Sequence, residues 1–254
     1  MICFDSHAHL DDTRFDADRD EIFAALAENS VGYVMNVGCD LPSSERSIAL
    51  ARKYDFVYAA VGSHPDDAAQ VDALRVERYR TLAQEAKVRA IGEIGLDYYY
   101  DDVPREVQRK AFAMQLELAR QVQLPVIIHE RDAHADALAM LADFPEVRGV
   151  FHCYSGSPEM AMELVKKGWY IGFTGVLTFK NARKAVETAK MIPLDRILVE
   201  TDCPYMAPEP FRGRRNDSRY VPYMAKKLAE LRGISEEEAA AATTQNAKRL
   251  FAIE

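Results

Sequence analysis

Pro125-Val126-Ile127-Ile128-His129 is a short apolar run that stops at a histidine. A run of this length with β-branched residues and a flanking proline favours a strand over a helix. The same event recurs along the chain. His7 and His9 follow Ile2–Phe4, Glu93 sits in Ala90-Ile91-Gly92-Glu93, and His152 closes Val150-Phe151. Asp202 follows Ile197-Leu198-Val199, two residues after Glu200. Four of the six histidines thus stand at strand ends. Such repetition means strands that deliver metal ligands to one end of a sheet or barrel.

Strand-like runs begin near Ile2, Tyr33, Phe56, Val88, Pro125, Arg148, Trp169 and Arg196. Between them the spacing predicts helices over about Asp18–Asn29, after Pro42-Ser43, and from Pro104, with Val107, Ala111, Met114, Leu118 and Val122 on one face. Shorter helices are predicted over Ala133–Ala142, Pro158–Lys167 and Asn181–Lys190. A proline-rich loop, Cys203–Asp217, precedes a helix that stops at Gly233. Ser235 with Glu238 reads as a capping box for a further helix, and a last short one ends at Leu250-Phe251. Strict strand–helix alternation predicts a parallel sheet. Eight units in a chain of 254 residues suit a (β/α)8 TIM barrel, one α/β domain over residues 1–254. An open doubly wound sheet is the competitor. It gathers ligands at a single switch point, whereas these candidates come from strands one, four, five, six and eight.

A net charge of −8 argues against a broad coating of duplex DNA, which needs neutralised phosphates. It tolerates an acidic, metal-filled pocket. Cys3, Cys39, Cys153 and Cys203 lack paired spacing and read as reduced thiols, and strand alternation is expected to turn Cys153 and Cys203, which follow His152 and Asp202, away from the ligand side. No apolar run approaches the length of a membrane span, and no signal peptide precedes the first strand. The expectation is a cytoplasmic protein without a membrane or an obligate protein partner.

Residues i and i+2 of a strand point the same way, so His7 and His9 can grip one ion, with Asp5 orienting a ring from behind. Glu93, framed by Gly92 and Gly95, needs a cation if buried, and its two oxygens can bridge two ions. Four histidines and two carboxylates suit two divalent ions sharing an oxygen. The expected assignment gives His7, His9 and Asp202 to one ion, His129 and His152 to the other, and Glu93 to both. Asp202 is also the expected proton acceptor. His64, in Gly62-Ser63-His64-Pro65, is expected to reach a substrate oxygen or leaving group; capping a strand end is its plainer role. His134 reads as a solvated surface residue, and Glu200 as an internal ion pair.

The segments Phe4-Asp5-Ser6-His7-Ala8-His9-Leu10, Gly62-Ser63-His64-Pro65, Ile91-Gly92-Glu93-Ile94-Gly95-Leu96-Asp97-Tyr98, Pro125–His129, His152-Cys153-Tyr154-Ser155-Gly156 and Glu200-Thr201-Asp202-Cys203-Pro204-Tyr205 resemble the TatD family of metal-dependent hydrolases, within the amidohydrolase-like barrels. Arg212-Gly213-Arg214-Arg215-Asn216 and Asn246-Ala247 extend the resemblance over essentially the whole chain. The resemblance implies deoxyribonuclease activity on phosphodiester bonds, often from a 3′ end, dependent on divalent metal. Some members of the family lack the first His-x-His; its presence here favours two occupied metal sites.

Water activated by two ions attacks either phosphorus or a carbonyl carbon, so the choice falls to the loops. Arg212, Arg214, Arg215 and Arg219 crowd one loop, and Arg131 lies two residues past His129; guanidinium forks fit phosphate. Tyr98, Tyr99 and Tyr100 can stack on bases or pack between loops. The expected substrate is DNA, taken as a single strand or a frayed end, with two ions of Mg²⁺, Mn²⁺ or Zn²⁺. A metal-dependent esterase or amidase, such as an aminoacyl-tRNA deacylase, is the alternative. A non-catalytic barrel that binds metal or nucleic acid is a third reading.

Overall fold

The structure, a computed structural model, describes residues 1–100 and 102–254. Eight strands follow one another in chain order in a parallel sheet: β1 (Cys3–Ala8), β2 (Val31–Val37), β3 (Val57–Val61), β4 (Val88–Asp97), β5 (Val126–Arg131), β6 (Gly149–Phe151), β7 (Tyr170–Phe173) and β8 (Ile197–Val199). Helices alternate with them: α1 (Arg19–Ala25), α2 (Leu41–Lys53), α3 (Ala73–Leu82), α4 (Arg105–Val122), α5 (His134–Ala142), α6 (Pro158–Lys166), α7 (Arg183–Met191), α8 (Val221–Arg232) and α9 (Glu236–Leu250). This is the (β/α)8 barrel class. No helix among the described residues is long and apolar enough to cross a membrane. Contacts gather the chain into two compact units, Met1–Asn36 with Cys153–Glu254, and Val37–His152.

In the first unit β1 lies between β2 and β8. Its pairing with β2 is parallel, and the Asp202 and His9 backbone N–H groups donate to the carbonyls of His7 and Cys203, both at 2.9 Å. Every residue of β1 is buried. The Phe4 ring stacks on Tyr33, with centroids 5.5 Å apart, and meets Phe251 at 6.0 Å. α9 is tied to β8 by Asn246, whose amide donates to the carbonyls of Leu194 and Ile197 at 2.8 and 2.9 Å.

The second unit is built on β4, ten residues long and buried at all but Arg89. In its register with β5, Gly95 faces His129 and Asp97 faces Arg131. A Cβ on Gly95 would lie 1.9 Å from the His129 carbonyl oxygen, and the residue has φ +148°, so only glycine lets the strands approach here. α4 buries Ala111, Phe112, Leu116, Leu118 and Ala119 together with Gln108 and Gln115. Val107 and Met114, expected on its inner face, are half-buried against Ala68 and Val71.

Three helices differ from the sequence pattern. Asp18–Asn29 divides at Leu26 into α1 and a 3-10 turn, Ala27–Asn29, which ends where Ser30 turns the chain into the left-handed region. α3 has no counterpart in the pattern, since Tyr79 is its one buried residue and no apolar stripe announces it. The two predicted terminal helices form one, α9, started by Ser235 accepting the Glu238 N–H at 3.1 Å.

Replacing Gly95 by alanine is expected to lower unfolding free energy by about 3 kcal/mol, through overpacking against His129. Thermal denaturation would measure it, and an unchanged melting temperature would refute the close approach of β4 and β5.

Candidate active site

In the first unit His7 and His9 lie at the carboxyl end of β1, two residues apart and on one side. Their Nε2 atoms are 3.0 Å from each other. Asp202 Oδ1 lies 3.9 Å from His7 Nε2 and 3.5 Å from His9 Nε2. Asp202 follows β8 in a left-handed turn, φ 54°, a conformation that aspartate tolerates better than most residues. Asp5 holds that turn. Its carboxylate accepts the Thr201 backbone N–H at 2.8 Å and the Thr201 hydroxyl at 2.6 Å. Orientation of a histidine ring by Asp5 is therefore corrected: the carboxylate anchors the residue before Asp202, because Thr201 offers two donors at once. Burial pushes Asp5 up to about 7, against the two hydrogen bonds from Thr201. Asn216 completes the anchor by donating to the carbonyls of Thr201 and Tyr205 at 2.8 and 2.6 Å. Glu200, expected in an ion pair, accepts the Cys153 backbone N–H at 2.6 Å and the Ser6 hydroxyl at 3.3 Å.

In the second unit Glu93 is the centre of a histidine cluster. Its Oε1 lies 2.7 Å from His152 Nε2, 2.9 Å from His129 Nδ1 and 3.8 Å from His64 Nε2. His152 Nε2 and His129 Nδ1 are themselves 3.4 Å apart. His129 Nε2 meets Asp97 Oδ2 at 3.0 Å. His64 caps the turn after β3, its Nδ1 accepting the Asp66 backbone N–H at 3.2 Å. In the neutral ring that role leaves the proton on Nε2, the nitrogen nearer Glu93. The Asp66 carboxylate lies 3.3 Å from the same Nδ1 on the exposed side.

Residues that sequence reasoning missed hold this cluster in place. Asp97 is the carboxylate behind His129. Cys39, just past the end of β2, brings its Sγ within 3.8 Å of Glu93 Oε2. Gln115 clamps both backbone groups of Ser63, accepting its N–H at 2.7 Å and donating to its carbonyl at 3.0 Å. Gln108 does the same for Asp97, at 2.8 Å each way. The two glutamines are seven residues apart, two helical turns, and α4 thereby pins the ends of β3 and β4. The detectable signal was two polar residues at core positions of a helix, each able to replace a missing ladder partner.

The expected arginine cluster is partly spent on the protein itself. Arg215 pairs with Asp18 and donates to the Arg14 carbonyl at 2.7 Å, and Arg219 pairs with Asp217 at 2.8 Å. Arg212 lies over the Phe179 ring at 4.3 Å, and Arg131 over Tyr99 at 3.7 Å. His134, expected to be merely solvated, pairs with the buried Glu130.

Both donor sets have the chemistry of a divalent-cation site. Ligands about 2.1 Å from an ion stand roughly 3.0–3.4 Å from one another. The separations of 2.7, 2.9 and 3.4 Å about Glu93, and of 3.0 and 3.5 Å about His9, lie near that range. Two buried imidazole nitrogens face each other at 3.0 Å in the first set, a separation that suits either an N–H···N hydrogen bond or two donors to one cation. Mixed imidazole and carboxylate donors suit Zn²⁺ and also admit Mn²⁺ or Mg²⁺.

The chain is similar to known proteins over nearly its whole length. The family model described as TatD related DNase matches residues 4–252. The metal-dependent hydrolase YabD of Bacillus subtilis is 44% identical over 254 residues, covering 99% of this chain and 100% of that one. The 3′-5′ ssDNA/RNA exonuclease TatD of Cronobacter sakazakii is 37% identical over 258 residues, covering 98% and 97%. The crystal structure of the TatD homologue YJJV from Escherichia coli superposes with a TM-score of 0.94 at 33% identity, over 100% of both chains.

The carboxylates around His129 set a pH dependence. Burial alone would lower its pKa, but hydrogen bonds to Asp97 and Glu93 outweigh it and raise it to about 9 without metal. A cation bound through His129 must expel that proton below about pH 9. Apparent Zn²⁺ affinity is therefore expected to rise by up to about tenfold per pH unit from about pH 7 to about pH 9. Calorimetric titration in buffers of different ionisation enthalpy reads the proton release; affinity independent of pH would exclude ligation by His129.

Proposed function

Because the chain belongs to the TatD family of metal-dependent hydrolases, we propose that it is a deoxyribonuclease that shortens single-stranded or frayed DNA from the 3′ end with two divalent ions, Mg²⁺, Mn²⁺ or Zn²⁺. The observation that carries this reading is the pair of donor sets, His7, His9 and Asp202 in one and Glu93, His129 and His152 in the other, each with the spacing of a cation site. Each set is proposed to hold one ion. The exonuclease named among the relatives supports the phosphodiester as the bond attacked.

Bound divalent cations supply Lewis acidity, which activates water for attack and offsets charge growing on phosphoryl oxygens. The chain's own groups do the rest. Asp202, whose carboxylate reaches solvent at the end of β8, accepts the proton of the attacking water. The P–O bond to the 3′ oxygen of the shortened strand then breaks, the terminal nucleotide leaves with the phosphate, and the proton returns to that 3′ oxygen. His64 presents Nε2–H to that oxygen or to a phosphoryl oxygen. Asp97 fixes the plane of His129 and holds the proton on its Nε2, leaving Nδ1 on the side of Glu93. Arg131 supplies fixed positive charge two residues beyond His129. Arg212 remains a candidate phosphate contact; Arg215, engaged by Asp18, serves better as an anchor of its loop.

Three measurements test this. Metal-loaded protein should release nucleotides from single-stranded DNA, lose the activity to chelator and regain it with Mn²⁺ or Mg²⁺. Turnover of carbonyl esters or aminoacyl-tRNA with no phosphodiester cleavage would reject the nuclease. Cleavage of RNA alone would correct the polymer. Asp202→Ala is expected to lower kcat by at least about 10²-fold, and equal turnover would remove it as proton acceptor. Glu93→Ala should lose at least one ion per chain by elemental analysis, whereas unchanged metal content would remove Glu93 as a ligand.

A further inference from the structure

We propose that Tyr99, Tyr100 and Arg131 form a platform that stacks an unpaired nucleobase and contacts the neighbouring phosphate, so that single-stranded nucleic acid is selected beside the second donor set. The choice of polymer rests on the nuclease reading; the surface itself stands on its own geometry.

Tyr99 and Tyr100 are 56% and 50% exposed, adjacent large aromatic rings left in water. Their rings meet edge to face, with centroids 4.8 Å apart and planes at 87°. The Arg131 guanidinium lies 3.7 Å from the centroid of Tyr99 and 5.2 Å from that of Tyr100. Tyr98 behaves differently. Its hydroxyl donates to Asp136 at 2.6 Å and its ring carries Arg105 at 4.4 Å, which fixes the base of the segment. Tyr98 is the anchor, and the two rings after it are the exposed surface.

The platform is joined to the candidate ligands through one carboxylate. Asp97 Oδ2 meets His129 Nε2 at 3.0 Å, and Asp97 Oδ1 accepts the Tyr99 backbone N–H at 2.9 Å. From the neighbouring strand, the Arg131 carbonyl accepts the Tyr98 N–H at 2.9 Å, and Arg131 ends β5 two residues after His129. A base on these rings would therefore be held in register with His129, and Arg131 is at hand for its phosphate. Every base offers a π-face, so the surface is tolerant of sequence. A base inside a duplex already has both faces stacked and cannot use it. In a chain of net charge −8, one guanidinium held on aromatic faces also attracts a strand end without drawing long duplexes.

The test is binding, separate from hydrolysis. A labelled single-stranded oligodeoxynucleotide of about twelve residues is titrated by fluorescence anisotropy into the full chain in chelator, at low salt, beside the matching blunt duplex. Y99A/Y100A is expected to bind the single strand on the order of 10- to 100-fold more weakly. Y99F/Y100F should stay within about threefold of wild type, since it keeps the faces. Arg131→Ala should weaken binding and reduce the salt slope by roughly one. Both tyrosines are exposed, so the alanine variant is expected to melt with the wild type. Equal affinity of Y99A/Y100A and wild type, wild-type preference for the duplex, or no binding by wild type would each overturn the platform. Should wild type hydrolyse only carbonyl esters while Y99A/Y100A loses single-strand binding, the nuclease falls and the platform stands.

Discussion

Glu93 is a carboxylate with 3% exposure, and its desolvation has to be offset where it sits. The sequence meets that demand with imidazoles: His152 at 2.7 Å and His129 at 2.9 Å from the same oxygen. A second carboxylate, Asp97, is then tolerated behind His129 because the ring stands between the two carboxylates, which favour its protonated form. The cluster alternates in sign, carboxylate and imidazole, and a divalent cation fits the same alternation by replacing the proton. Gly95 follows from this constraint, since only a residue without a side chain brings β4 close enough to β5 to pair Glu93 with His129.

Rigid strands deliver these groups, but strand ends are where backbone partners run out. Among the described residues, side chains take over at several such places. Gln115 serves Ser63, Gln108 serves Asp97, Asn216 serves Thr201 and Asn246 serves Ile197. Each satisfies buried peptide groups that would otherwise be costly, and three of the four act within one residue of His64, Asp202 or Asp97. The same bonds that stabilise the fold thus limit the motion of the candidate catalytic side chains. Preorganisation of this kind is what a hydrolytic site needs, since donors must already face the charge that develops.

The arginines illustrate how local composition and spatial environment part company. Four of them within Arg212–Arg219 read as an anion site, yet Arg215 meets Asp18 and Arg219 meets Asp217. Asp18 is remote in sequence from Arg215, so the pairing has no local signature. Arg131, an isolated residue in the sequence, stays at the surface over two aromatic rings.

Periodicity and the residue types that follow apolar runs were enough to read eight strands in order, because those signals are local: a period of two or 3.6 and a polar residue that stops an apolar run. Glycine at Gly92 and Gly95 was visible too, though not the carbonyl that makes Gly95 obligatory. The limits were long-range. Asp97, Cys39, Gln108 and Gln115 act through bonds to residues that the fold alone brings near; Asp97 and Cys39 look ordinary in their own segments, and the two glutamines show only as polar residues on the core side of a helix, without their partners. α3 went unread because a helix held by one buried tyrosine leaves no stripe. Strand patterning is set by which face meets the core, whereas hydrogen-bond and charge partners are set by three-dimensional neighbours, and no linear pattern encodes those.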